Sequence, residues 1–465
     1  MSLLLPTMLA AAMLAQAQSG TKLHAEGKYR EAVAAFRAEL AEAEQQHGAG
    51  HGETALLLNN LAIAIFASGR AAEAEPVVRR AISIWEQQDN GRSQLASALN
   101  NLGAFQAAQG NHASAETHYL RALSLVDPES AEAAPALTNL ATIYASRRDF
   151  VKAEELQRRA VAICEPKLSP DDPRVGTGYG ALATVLQSAG RLEEAEALFR
   201  RAYAMHARVL EAGHPQLSRD LANLAFLLRS AGRVTEAEAL YLESLTSLER
   251  SLGTNHPDYA TTLNNLARIR ASQSDWKTAQ RLQEKALATL ERALGPDHPT
   301  VAAALVNLAD LFSTTRHYDR AAALLERALE IDEARLGPGH ARTANDLDRL
   351  GELANRRKNY RAASVYLTRS LELNRRIFGT GSVEAGQSAV QLAEAFGATG
   401  RAGEAAELFR DSLTTLEKAW GKDDRRLLTP LAAYLRVLRA IEDFTGVAKA
   451  EAWSMRIRVR AILKG

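Results

Sequence analysis

The chain has 465 residues, 46% apolar and 24% charged, with 56 Lys plus Arg against 55 Asp plus Glu. It is too apolar to be disordered, and a formal net charge of +1 excludes an overall electrostatic pull toward nucleic acid or an anionic membrane. One cysteine excludes an intramolecular disulfide framework and any multi-cysteine metal site, and the dominance of Ala, Leu, Glu and Arg is a helix former's composition.

In chain order, residues 1–17 come first, with an uncharged apolar stretch from Leu3 to Ala15 that closes on Ala15-Gln16-Ala17. A short apolar run ending in small-x-small is the form of a secretory signal peptide. The expectation is therefore an exported chain, periplasmic or secreted, beginning at Gln18. No Lys or Arg precedes the stretch and Pro6 interrupts it. If it is not cleaved, the segment begins the first amphipathic helix of a cytoplasmic protein. No other run approaches the ~18 apolar residues that cross a bilayer, so no membrane span is expected in the mature chain.

Beyond this segment the sequence repeats. Ala recurs at Ala32, Ala74, Ala115, Ala153, Ala195, Ala237, Ala279, Ala321, Ala363, Ala405 and Ala448, mostly 42 residues apart. Thirteen residues before each from the second onward stands an anchor Leu: Leu61, Leu102, Leu140, Leu182, Leu224, Leu266, Leu308, Leu350, Leu392 and Leu435. Between the two lies a helix-ending signal, at Gly69, Gly110, Arg148, Gly190, Gly232, Ser274, Arg316, Lys358 and Gly400. Such a register belongs to a solenoid of tandem units. In the sixth, Leu263, Leu266, Ala267 and Ile269 repeat at helical spacing, Gln273-Ser274-Asp275 breaks the pattern, and Ala279, Leu282, Ala286 and Leu287 resume it. Leu294-Gly295-Pro296-Asp297-His298-Pro299 closes the unit, with Gly suited to a C-cap and Pro to a first helical turn. The repeated Ala marks where two helix backbones approach, since a larger side chain would push them beyond the usual ~8–10 Å.

The pattern Leu-x-Asn-Leu-Ala…Gly-x-x-x-x-Ala-Glu-x-Leu…Arg-Ala-Leu is similar to the tetratricopeptide repeat. Its form around Leu252 to Ala267 resembles the longer repeats of kinesin light chains and their bacterial relatives. The resemblance covers about residues 19–465. It implies an all-α, right-handed superhelix of about eleven antiparallel helix pairs over residues 18–465, the first and last irregular. The usual unit is ~34 residues, so a 42-residue unit leaves about one extra turn for each helix. The unit around Leu140 is four residues short, which points to trimming in the Asp127-Pro128 linker. The fading last unit, with Arg456, Arg458, Arg460 and Lys464, suits a polar end cap.

In tetratricopeptide proteins the first helix of each unit lines a concave groove. Residues one and two before the anchor Leu, and two after it, face a bound peptide. The resemblance therefore implies a groove at Asn59, Asn60, Asn100, Asn101, Asn139, Asn223, Asn264, Asn265, Arg268, Asn307, Asp310, Glu352 and Glu394. Amides donate and accept at once, so a stack of them suits an extended backbone. They equally suit bonds between neighbouring units; the family mapping favours groove exposure for Asn59, Asn100 and Asn264. Two residues past the anchors stand Ile63, Ala104, Thr142, Thr184 and Phe226, then Arg268, Asp310, Glu352 and Glu394. The groove thus turns from apolar to basic, with Arg270 nearby, and then acidic, with Asp348 beside Arg349. Opposed charges would set a peptide's direction, or else simply bridge units.

His51, His214, His256, His298 and His340 each stand ten residues before an anchor Leu. Stacked units hold equivalent atoms too far apart to share an ion, so these are residues that prepare a helix start and no metal is assigned. Glu75/Arg79, Glu154/Arg158 and Glu196/Arg200 are four-apart pairs on the solvated side of second helices, and Cys164 is a small core hydrophobe. No phosphate-loop, nucleophile-elbow, His-Glu-x-x-His or dinucleotide motif appears. The reading is a non-enzymatic scaffold for a protein or peptide partner, with no cofactor and no nucleic acid; the alternative is a cytoplasmic regulatory or sensor module that binds a small signal or peptide.

Overall fold

The computed structural model describes residues 19–463 apart from Asp89, Pro170, Ala212 and Gly213; the expected signal segment lies outside them. The described residues form 22 α-helices and two 3-10 turns, with no strand among them. They divide into two compact units, one up to Ala304 and one from Leu305 onward.

In the first unit the helix pairs are α1 (Gly20–Ala25) with α2 (Tyr29–His47), α3 (Gly52–Ala67) with α4 (Ala71–Trp85), and α5 (Arg92–Ala108) with α6 (His112–Leu125). They continue with α7 (Ala134–Ser146) and α8 (Phe150–Lys167), then α9 (Pro173–Ser188) and α10 (Leu192–Val209). The unit's last two pairs are α11 (Pro215–Ser230) with α12 (Val234–Ser251) and α13 (Pro257–Ser272) with α14 (Trp276–Leu294). The division falls within α15 (Pro299–Thr314), which α16 (Tyr318–Leu336) follows. The second unit goes on through α17 (Ala341–Arg356) and α18 (Tyr360–Phe378), α19 (Val383–Ala398) and α20 (Ala402–Trp420), and α21 (Leu428–Ala440) and α22 (Phe444–Leu463). Within each unit a first helix packs on its partner and also on the next first helix, as α9 does on α11 and α17 on α19, so first helices share one face.

The repeated Ala is where the helices close on one another. From Ala32 to Ala405 it is 0% exposed in every unit, while the anchors Leu61 to Leu392 are buried beside it. The last unit departs from the expected register. Ala448 is exposed and Leu435 only half-buried, because α21 and α22 keep the 42-residue spacing and put Tyr434 and Val447 in the anchor and Ala places. The short unit is trimmed in its helices: α6 has 14 residues, and the stretch ahead of α7 winds into a 3-10 turn, Ala131–Ala133. Nor is the end cap wholly polar. Phe444, Met455, Val459 and Ile462 of α22 are exposed, and Arg456 pairs with Asp423 at 3.1 Å.

All nine expected helix-ending residues have a positive φ. Five are Gly, and Arg148, Ser274, Arg316 and Lys358 hold the same left-handed turn at 60–64°, where a side chain costs roughly 1–2 kcal/mol. The five recurring His side chains cap the following first helices. Nδ1 accepts from the backbone N–H two residues on: Glu53, Gln216, Asp258, Thr300 and Arg342, at 3.0–3.2 Å. An imidazole lone pair here satisfies one of the orphan amides at a helix start, as a Ser or Asp oxygen does elsewhere.

Two of these caps do more within the first unit. The turn after α1 meets the loop before α13, Gly27 lying against His256 and Pro257. The turn after α3 meets the loop before α15, Gly69 lying against His298 and Pro299. Each contact joins residues 229 positions apart, more than five repeats along the chain. With Nδ1 of His298 engaged in its cap, the ring proton sits on Nε2 and donates to the Ala67 carbonyl at 3.1 Å. Arg30 lies over Gly295 beside these contacts.

Candidate interaction surface

On each first helix the anchor Leu and the residue after it turn inward, so helical spacing leaves the positions two, five and six past the anchor facing out. These positions line hollows between successive first helices. In the first unit Thr142, Ala145 and Ser146 of α7 and Thr184 and Ser188 of α9 enclose about 500 Å³, with Gln157 of α8 as the floor. In the second unit Glu352, Asn355 and Arg356 of α17, Glu394 of α19 and Arg436 of α21 surround about 530 Å³ over Phe409. Both floor residues stand four past the repeated Ala.

The amides divide into two groups. Asn101 Nδ2 donates to Asn59 Oδ1 at 2.9 Å, and Asn139 Nδ2 donates to Asn100 Oδ1 at 2.8 Å. Asn59 is buried, which corrects the expectation of its exposure, and these four residues are tied between neighbouring pairs. The sequence left this alternative open because residues before the anchor sit where stacked first helices meet. Asn60, Asn265 and Asn307 are half-buried and Asn223 is exposed. Asn264 is half-buried, and its Oδ1 has no hydrogen-bond partner among the described residues.

The charges are unevenly compensated. In the second unit Asp310 pairs with Arg349, and Glu352 with Arg356 at 2.6 Å. Asp348 accepts from Ser388 at 2.7 Å and Asn374 at 3.1 Å, and burial pushes its pKa up. Burial also raises Glu394, with Arg436 opposing. The acidic end is thus largely neutralised or locked from within. In the first unit Arg270 pairs with Glu238. The side chains of Arg229 of α11 and Arg268 of α13 have neither an ion pair nor a hydrogen bond among the described residues. Arg229 lies 5.2 Å from the ring centroid of Phe226, which is 39% exposed. Burial and the neighbouring Arg268 charge hold Arg229 below its ordinary pKa. At the floor position of the same pair, Tyr241 is fully buried, its hydroxyl without a hydrogen-bond partner among the described residues and its pKa pushed up to about 12 by burial.

Sequence reasoning missed a buried polar layer, built from the residue eleven past the repeated Ala and the one four before the next anchor. His206 Nδ1 meets Asp220 Oδ2 at 2.5 Å and its Nε2 meets the Pro173 carbonyl at 2.8 Å, with His206 0% exposed. Burial alone would lower His206, but these two acceptors carry its pKa above the ordinary value. At the same register Asp332 and Asp346 are both buried and both raised by that burial, with Arg342 at 2.9 Å from Asp332. There too Asn374 Nδ2 donates to Ser388 at 2.9 Å. Elsewhere the position eleven past the repeated Ala carries Ala43, Trp85, Val126, Cys164, Leu248, Leu290 or Leu416, so these polar groups replace packing residues and join adjacent pairs. Cys164 is buried, and burial raises its thiol pKa, which suits a packing role.

The model of the tetratricopeptide repeat family matches the chain in overlapping segments from residues 10–87, 55–127 and 94–165 through to 318–374 and 340–418. Comparison with curated proteins finds no match. Among solved structures the chain is similar to BtubC (BKLC) from P. vanneervenii, at 23% identity over 52% of this chain and 93% of that one, with a TM-score of 0.39. It is also similar to a putative kinesin light chain with nearly identical repeats from Podospora anserina, at 25% identity over 44% and 96%, with a TM-score of 0.37. A third is aspartyl phosphate phosphatase F from Bacillus subtilis, at 15% identity over 78% and 96%, with a TM-score of 0.47. No helix among the described residues is long and apolar enough to cross a membrane.

Proposed function

The chain belongs to the tetratricopeptide repeat family, whose fold commonly mediates protein–protein interaction and is in general non-enzymatic, and from that premise we propose that its first-helix face is a scaffold for an extended, acidic segment of a protein partner. The observation that carries this reading is the pair Arg229 and Arg268. Both are left without a carboxylate, whereas Asp310 and Glu352 on the first helices of the second unit each have an arginine, and exposed Phe226 offers an apolar contact beside them. A carboxylate between two guanidinium groups gains charge-assisted hydrogen bonds and relieves their mutual repulsion. The partly exposed first-helix amides Asn223, Asn264 and Asn265 flank the pair and suit a peptide backbone.

The test is fluorescence anisotropy with a panel of labelled 12-residue peptides, acidic and apolar residues alternating, against their Gln-substituted counterparts. Acidic peptides should bind in a salt-dependent manner, and Arg229→Ala with Arg268→Ala should weaken binding at least tenfold while leaving helicity and melting unchanged. Equal binding of the neutral peptides, or a melting point lowered by several degrees, would overturn the reading. We propose also that residues 1–17 direct export; sequencing the mature N-terminus should give Gln18, and an intact Met1 refutes it.

A further inference from the structure

The loop joining α2 to α3 differs from its counterparts in one respect. Four of the recurring cap histidines have a Leu four residues earlier, Leu210, Leu252, Leu294 and Leu336, each buried or half-buried. Ahead of His51 that place is taken by His47, which is exposed. Its ring stacks on His51 with centroids 5.0 Å apart, and its Nε2 lies 2.8 Å from Glu53 Oε2. One ring nitrogen from each histidine and one carboxylate oxygen of Glu53 all fall within 4.8 Å of one another. At the other four caps the residue two past the His is Gln216, Asp258, Thr300 or Arg342, and none of them has a second His at the Leu place.

We propose that His47, His51 and Glu53 form a site for a divalent transition-metal ion of the zinc class. Two imidazoles and a carboxylate are a donor set such ions prefer, at bonds of about 2.0–2.2 Å, with water in the remaining position. The backbone is held ready: Thr54 Oγ1 donates to the Gly48 carbonyl at 2.9 Å, as Thr343 Oγ1 does to Gly337 at 3.1 Å in another unit. Donor atoms up to 4.8 Å apart must close to about 3.5 Å around a tetrahedral ion, a shift of about 1 Å that the three exposed side chains share. Coordination uses a lone pair of His51, so either the metal replaces Glu53 N–H at Nδ1 or it takes Nε2 and sends the ring proton to Nδ1. Both give up the cap, and that amide is near enough to solvent to be satisfied by water. A bound ion would cross-link the end of α2 to the start of α3, in place of the contact the usual Leu supplies.

The test is isothermal titration of the full, tag-free chain with zinc chloride, alongside melting with and without zinc. The wild type should show one saturable site and a zinc-dependent rise in melting temperature. His47→Leu, which installs the residue of the other four units, and Glu53→Gln should each lower affinity at least tenfold and abolish the rise. Magnesium, which prefers an all-oxygen shell, should do neither. The proposal fails if the wild type shows no saturable zinc binding, or if Glu53→Gln and a folded His47→Leu bind as the wild type does. Should His47→Leu lose helicity, Glu53→Gln alone decides.

Discussion

Asp220→Ala is expected to destabilise the chain by about 3–5 kcal/mol, the cost of stripping one partner from a buried charge pair. His206 is fully enclosed, with both ring nitrogens facing acceptors, Asp220 Oδ2 and the Pro173 carbonyl, which makes it a buried imidazolium. Without Asp220 the ring must lose its proton or remain an uncompensated cation. Gln216, which donates to Asp220 Oδ1 at 3.0 Å, loses its acceptor as well. Thermal melting should fall, and amide exchange should rise most in α10 and α11. A group whose folded pKa lies above its unfolded one contributes stability that is complete below the unfolded value, about 6.5 for His. That contribution drains away as pH climbs through the raised folded value. The gap between wild type and variant should therefore be widest on the acid side of neutrality and narrow toward pH 9. A gap that widens with pH would show that His206 is neutral. Asp332 and Asp346, both raised by burial, act in the same sense, so the wild type itself should melt lower at pH 8 than at pH 6.

Ala237→Leu is expected to cost about 1–3 kcal/mol through overpacking, because Ala237 is 0% exposed at the closest approach of α11 and α12. Ala448→Leu is the internal control. By the sequence register the two alanines are equivalent, but Ala448 is exposed, and a surface change of this kind stays within about 0.5 kcal/mol. Equal losses in the two variants would restore the register read from the sequence and contradict the placement of Val447.

Features that recur were legible in the sequence because recurrence filters out accident. The helix-ending residues from Gly69 to Gly400 all adopt the left-handed turn, including the four that are not Gly. The histidines ten residues before the anchors all cap helices. What was hidden occurs once or a few times. His206 and Asp220 lie 14 residues apart on two helices, and only the three-dimensional stacking of one pair on the next brings them together. In the last unit Leu435 and Ala448 carry the residue types of the pattern but stand one residue off the 42-residue spacing, which the helices keep and which brings Tyr434 and Val447 into those places. The amides before the anchors were ambiguous for a geometric reason. They sit on the seam between stacked first helices, and a shift of one residue on a helix separates a seam from an open face.

The contacts of Gly27 and Gly69 with the loops at His256 and His298 set this chain apart from an ordinary tandem array, in which each copy leans on its immediate neighbours and unravels from an end. Here one winding of the coil is latched to the next, so fraying at the amino end must first unhook a site more than five copies away. Losing the first two copies would loosen the loops at His256 and His298, ahead of the seventh and eighth, as well. The first unit is tuned less like a zip than like a closed spring, whose stiffness depends on whether its neighbouring turns touch.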